Sequence, residues 1–351
     1  MPSLRTEVTE IVTGLATMGF PNIERALAVR PRNFLHVEEQ QFDHLSDALE
    51  SGTHASEFAT AWANGVAFGT AADGLRGRPP WSVEWKGNQR PPGYEQIPAD
   101  LRIDHVFLIS CKYGSNILHN PSPGNLFVNL LLDREYRAEA GWYQEVAPAA
   151  YQEFYAECRR IIGDLALPAR VTEVSDGDIK KLREELPRRL TNELGDAYAG
   201  FSRVVATETA RRWSTNMSTY RKREAMLWRL LRLESAPYFV LGESADSQPL
   251  RFRVATPWDF RLRYKFRDLA VTASRDAQQP VVHWRAVVQE ESSGADATVR
   301  GHVEIRWSHG RFGPSPEAKV YLDTPHHEVP GYFPLDQPPP PSQPTLRLFD
   351  A

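Results

Sequence analysis

The segment IPADLRIDHVFLISCKYGS, residues 97–115, decides how this chain is read. The apolar run Val106 to Ile109 leads into Ser110, Cys111 and Lys112, and an isolated Asp100 precedes it. ADLRI and HVFLISCKY have the texture of two strands, and a tight turn at Asp104 and His105 joins them as a hairpin. Residues two apart on a strand share a face, so Ser110 and Lys112 point the same way. The turn carries Asp100 back beside that strand end. A carboxylate and an ammonium therefore converge at the end of a buried sheet. The bland alternative is a lysine that snorkels from a strand terminus.

The flanks set the context. Residues 1–72 read as mostly helical, and the small-residue stretch 53–74 ends at Gly74 as a packed helix would. Proline and glycine punctuate the next twenty or so residues, within which WSVEW, residues 81–85, is a short strand. Residues 135–236 carry helical periodicity. From 237 the chain turns to short alternating runs such as YFVLG, LRFRVA and PVVHWRAVVQE, the texture of a β-rich module. The expected partition is 1–134 as an α/β core, 135–236 as a helical region and 237–335 as a β-rich module. Residues 336–351 form a stiff proline-rich linker and a terminal peptide.

The order helix, strand, hairpin with Asp and then Lys, helix resembles the PD-(D/E)xK nuclease superfamily over about residues 53–130. The resemblance implies an α/β fold with a restriction-endonuclease-like core. Asp100 is the first acid and Lys112 the lysine. The second acid of the motif falls at Ser110. The resemblance therefore looks to Glu84 on the neighbouring strand, or Glu57 on the preceding helix, for the missing carboxylate. It implies Mg2+ or Mn2+ held by Asp100, Glu84, Glu57 and the backbone carbonyl of Cys111. Magnesium takes hard oxygen ligands and keeps several waters. Such a cation acidifies water and offsets charge on a reacting phosphate. The tripeptide alone is not decisive, because Glu84-Trp85-Lys86, Asp178-Ile179-Lys180 and Glu317-Ala318-Lys319 also fit (Asp/Glu)-x-Lys. Asp73 with Glu84 and Lys86 makes a rival site. Asp100 and Lys112 are preferred because an apolar strand runs into them.

Composition narrows the classes. The chain has 351 residues, 41% of them hydrophobic, and a net charge of −4, so a nucleic-acid surface must be local. Two cysteines make no disulfide framework or zinc knuckle. With no basic leader and no apolar run of about 18 residues, a cytoplasmic protein without a membrane partner is expected. Two basic stretches stand out. One runs from Arg203 to Arg232 and includes Arg211, Arg212, Arg221, Lys222 and Arg223, with Trp213, Tyr220 and Trp228 interleaved. In the other, FRLRYKF read as a strand puts Arg261, Arg263, Lys265 and Arg267 on one face, suited to a phosphate backbone. A solvated β-surface is the alternative. His309 beside Gly310 and Arg311 reads as an inter-strand loop. His326 and His327 are rejected as a metal pair, because neighbours on an extended chain face opposite ways.

The tail is a separate signal. Gln343, Leu346, Leu348 and Phe349 resemble the QxxLxLF peptide by which bacterial replication and repair proteins dock to the sliding clamp, a groove-filling mode of recognition. The expected function is a metal-dependent nuclease acting on DNA in restriction, phage defence or repair; a homodimer could cut both strands. A non-catalytic DNA-binding or adaptor protein on a degenerate nuclease scaffold is the alternative, and an RNA-cleaving effector the third reading.

Overall fold

The computed structural model describes residues 3–335 apart from 88, 90–98, 130, 132–140, 165, 188, 191, 276–277, 308–310 and 314–315. The fold is mixed α/β. Its helices are α1 (Leu4–Ala16), α2 (Ile23–Val29), α3 (Glu39–Glu50), α4 (Ala55–Thr70), α5 (Trp142–Val146), α6 (Pro148–Ile162), α7 (Asp176–Glu185), α8 (Asn192–Asn216), α9 (Tyr220–Leu231) and α10 (Pro257–Arg261). Its strands are β1 (Phe34–Leu35), β2 (Val83–Trp85), β3 (Leu101–Ile103), β4 (Phe107–Tyr113), β5 (Ile117–His119) and β6 (Tyr238–Glu243). The rest are β7 (Pro249–Val254), β8 (Tyr264–Ala273), β9 (Val281–Glu290), β10 (Asp296–Arg306), β11 (Glu317–Leu322) and β12 (Tyr332–Pro334).

The chain forms two interleaved units. One holds residues 1–116, 232–263 and 325–351, the other 117–231 and 264–324. The three consecutive segments expected from sequence do not match this division. Strands β6 and β7, expected in a β-rich module, belong to the first sheet, because β6 pairs in parallel with β4. The rest of that β-rich stretch shares a unit with the helical region. Parallel pairing across more than a hundred residues leaves no local mark on either strand.

The first unit is built on a seven-stranded sheet in the order β1-β2-β3-β4-β6-β7-β12. Within it β2, β3 and β4 form an antiparallel meander. The β3–β4 turn is as expected. Asp104 and His105 have φ of 52° and 59°, and Val106 N–H donates to the Ile103 carbonyl at 3.0 Å. The register pairs Ile103 with Phe107, so three residues join the strands, and the two consecutive positive-φ residues suit the right-handed twist of a tight hairpin. The Asp104 carboxylate compensates the strain by accepting from the Trp81 and Ser82 N–H groups at 2.6 and 3.2 Å.

Alternation divides the meander into two faces. Val83, Trp85, Leu101, Ile103 and Ile109 join the core with α1 and α4, and Cys111 and Tyr113 pack against it. Ser110 and Lys112 take the opposite face. Helix α1 is enclosed nearly all round: from residue 7 to 16, every residue except Glu10 is buried. Its contact with α4 depends on Gly65, where a Cβ would lie 2.2 Å from the Thr13 carbonyl oxygen.

The second unit pairs a five-stranded antiparallel sheet, β5-β11-β10-β9-β8, with helices α5 to α9. Tyr143, Phe154, Phe201, Trp307 and Phe312 form an aromatic cluster there, and the Tyr143 hydroxyl donates to the Ile305 carbonyl at 3.0 Å.

Two expectations about elements are corrected. After Lys112, where a helix is expected, the chain first forms a strand, β5, which pairs with β11, and only then a short helical segment, Asn125–Asn129. FRLRYKF is not one strand. Thr256 and Asp259 form a capping box with Pro257 at the first helical position, and this nucleates α10 through Arg261. Strand β8 begins only at Tyr264, with a bulge between Phe266 and Asp268.

Candidate active site

Asp100 precedes β3 and lies beside Ser110 and Cys111 of β4. Its Oδ2 accepts from the Cys111 N–H at 2.7 Å and from the Ser110 hydroxyl at 3.3 Å. Its own N–H donates to the Ile109 carbonyl at 2.8 Å, and its carbonyl accepts from the Lys86 N–H at 3.0 Å. Ser110 therefore does not replace the second acid; it orients the first. Lys112 extends from the same face, half-buried, and among the described residues its ammonium has no hydrogen bond or ion pair.

The Cys111 backbone is well aimed. Ile109 and Cys111 both turn their polar groups toward β3, as alternate residues of a strand do. The Cys111 carbonyl thus leaves β4 on the Asp100 side. The thiol points the other way, toward Thr13 of α1, and burial pushes its pKa well above the ordinary value. Only the backbone of Cys111 is suited to a cation.

Both expected second carboxylates, Glu84 and Glu57, are held in ion pairs. Glu84 is engaged by Arg102 at 2.6 Å and His105 at 2.7 Å. The cross-strand register sets Glu84 directly opposite Arg102, so the pair forms as a consequence of the hairpin. Glu57 pairs with Arg5 at 3.0 Å. The rival acid Asp73 binds Arg253 at 3.1 Å, and Arg253 also holds Asp259, so the Asp73, Glu84, Lys86 constellation does not assemble.

The acid on which the charge of Asp100 acts is Glu10 of α1, which the sequence reading missed. Its carboxylate accepts from the Trp85 indole N–H at 2.6 Å. Burial, reinforced by the charge of Asp100, pushes its pKa up to about 8; the Trp85 hydrogen bond and the charges of Lys86 and Lys112 act in the opposite sense. Glu10, Asp100, Lys86 and Lys112 thus share one electrostatic neighbourhood at the end of the meander. A signal did exist in VTEIVTGLA: an acid inside a stretch too apolar to be a solvent-facing helix. It becomes meaningful only once α1 is known to be enclosed.

Two carboxylates of which one retains its proton at neutral pH, together with a carbonyl, are hard oxygen donors of the kind magnesium or manganese takes. By the chemistry of its donors the set would suit such a cation, with the Glu10 and Asp100 carboxylates and the Cys111 carbonyl as the oxygens that would hold it. Among the described residues no three His, Cys, Asp or Glu side chains gather as a metal cluster, so most remaining positions would be water.

The expected basic surfaces are largely internally paired or broken. Arg211 holds Glu208 at 2.8 Å, Arg212 holds Glu145 at 2.5 Å, and Arg223 lies 3.6 Å from Asp268. Arg221 and Lys222 lie on α9. Arg261 lies on α10 and Arg263 sits over the Phe333 ring, so only Lys265 and Arg267 remain on β8, and Arg267 donates to Gln289. His326 is buried, stacked against Phe252, its pKa lowered to about 4 by burial and then by Lys112 and His327. The terminal motif Gln343, Leu346, Leu348 and Phe349 and the residue His309 lie outside the described residues. No helix among the described residues is long and apolar enough to cross a membrane. Compared with family models, with curated proteins and with solved structures, the chain finds no match in any of the three.

Proposed function

We propose that this protein is a metal-dependent nuclease that hydrolyses phosphodiester bonds, with DNA as its substrate. The observation that carries the reading is that Glu10 lies within the electrostatic reach of Asp100, Lys86 and Lys112 and that burial, with the charge of Asp100, pushes its pKa up to about 8. An acid whose proton is held by partial burial and by a neighbouring carboxylate, near a lysine that makes no hydrogen bond or ion pair among the described residues, is an arrangement that stability alone does not favour. The meander β2-β3-β4 followed by β6 parallel to β4 also supports a restriction-endonuclease-like core, as does α1 against the sheet.

In this reading Asp100, oriented by Ser110 and the Cys111 N–H, and Glu10 on α1 hold the cation. Bound Mg2+ or Mn2+ supplies positive charge that acidifies water and stabilises the reacting phosphate. Lys112 offsets negative charge on the phosphate and orients the attacking water. Loading the cation requires Glu10 to release its proton, so cleavage should rise with pH toward about 8. The test is cleavage of plasmid, linear and single-stranded DNA and of RNA, with magnesium, manganese or chelator. Metal-dependent cutting lost in Glu10→Ala, Asp100→Ala and Lys112→Ala supports the assignment. Cutting that survives all three variants refutes it.

Ser110, which stands where the motif's second acid falls, favours one second reading, a non-catalytic DNA-binding scaffold. Binding with no cutting under any metal condition is its signature.

A further inference from the structure

The solvent face of the second unit's sheet carries a block of basic residues separate from the stretches that stand out in the sequence. Antiparallel register puts Arg285 of β9 directly opposite Arg300 of β10, and His283 directly opposite His302 one rung along. All four share a face, since the residues between them, Trp284, Ala286, Val299, Gly301 and Val303, are buried. Arg285 and Arg300 are exposed, and among the described residues neither guanidinium has a hydrogen bond or ion pair. The His283 and His302 rings lie 6.0 Å apart.

Like charges directly opposite on a sheet are destabilising. Among the described residues no side chain pairs directly with either arginine. The residues beside the block, Ala270 and Thr272 on β8 and Val287 and Thr298 one rung away, are uncharged, and that outer rung continues to Asp268 on β8. Three acids border the block on this face and each is already engaged, Asp323 by His302 Nδ1 at 2.7 Å, Glu304 by the Tyr321 hydroxyl at 3.0 Å and Asp268 by Arg223 at 3.6 Å. His302 in turn stacks on Tyr321 at 4.6 Å, which fixes the ring. A metal ion on the two histidines is disfavoured by the two guanidinium charges one rung away. The block suits an anion with several charges, and arginine suits phosphate.

We propose that this sheet face is a nucleic-acid docking surface, with Arg285 and Arg300 on successive phosphates and His283 and His302 bordering the same track. The choice of nucleic acid over another polyanion rests on the nuclease reading of the first unit.

The test measures binding of fluorescent single-stranded and duplex DNA in chelator, where chemistry is silent, across a salt series. The wild type is compared with Arg285→Ala/Arg300→Ala and Arg285→Lys/Arg300→Lys; both sites are exposed, and circular dichroism checks folding. Losing two phosphate contacts should lower the log–log salt slope for duplex DNA by about 1.8 and weaken binding roughly 60-fold at about 0.1 M salt. The lysine pair should keep most of the slope. An unchanged slope in the alanine pair overturns the proposal, as does loss of poly-glutamate binding with DNA binding intact. Because this readout needs no cleavage, an inactive protein that still shows the slope change would sink the nuclease reading and leave the docking surface standing.

Discussion

Replacing Glu10 by Gln removes a carboxyl whose pKa is about 8 in the folded protein, against 4.5 for the ordinary group. The unfolded chain loses this proton near pH 4.5, while the folded chain keeps it to about pH 8. Between those values the folded state binds one more proton than the unfolded state. Stability therefore falls as pH rises, by about 1.4 kcal/mol per pH unit, or about 4 kcal/mol from pH 5 to pH 8. Glutamine mimics the protonated acid in shape and cannot ionise. The variant should match the wild type near pH 4.5 and exceed its stability increasingly up to pH 8. Urea unfolding of both proteins in chelator at several pH values measures the difference, and groups common to both cancel. Magnesium should then recover much of the wild-type loss at high pH, by binding the ionised carboxylate, and should do little for Glu10→Gln. Parallel stability curves for the two proteins would refute the convergence of Glu10 with Asp100, and with it the proposed site.

His326 gives the opposite slope. Its folded pKa of about 4 lies below the ordinary 6.5, so stability is complete above pH 6.5 and is lost as pH falls toward 4; His326→Gln should flatten that acid limb by about 3 kcal/mol in denaturant titrations. Gly65→Ala drives a Cβ to within 2.2 Å of the Thr13 carbonyl and should cost about 1–3 kcal/mol, read as a lower Tm, because α1 and α4 must separate. Lys112→Met removes an ammonium that makes no hydrogen bond or ion pair among the described residues, so unfolding should shift by less than about 1 kcal/mol while metal-dependent cleavage disappears. Equal loss of fold and activity in that variant would assign Lys112 a structural role instead.

The hairpin was legible because its signals are local. Two strands of alternating character flank an Asp-His turn, and the turn needs only the backbone of Asp104 and His105 and the side chain of Asp104 to form. Asp100 beside Ser110 follows from that register. The helices of residues 1–72 were likewise written in their periodicity. Helix α10 was also local, carried by Thr256, Pro257 and Asp259, and was missed because the alternation of Arg261, Arg263, Lys265 and Arg267 looked like a strand. A capping box competes with alternation over so few residues and prevails, since it satisfies backbone donors at once.

What only the tertiary structure decided depends on contacts between distant residues. Glu10 reaches Trp85 across 75 positions, and no property of TEIVTG indicates which strand end α1 will cover. Glu84 had the right charge and a neighbouring strand, yet the cross-strand register gave it to Arg102. The Arg285–Arg300 pair arises from antiparallel register between β9 and β10, where each arginine alone looks like an ordinary surface residue. Sequence sets turn, helix and strand through nearest neighbours, whose energies are local. Which charged groups meet is set by chain closure and burial, and a buried charge with the wrong neighbour costs more than any local preference can offset.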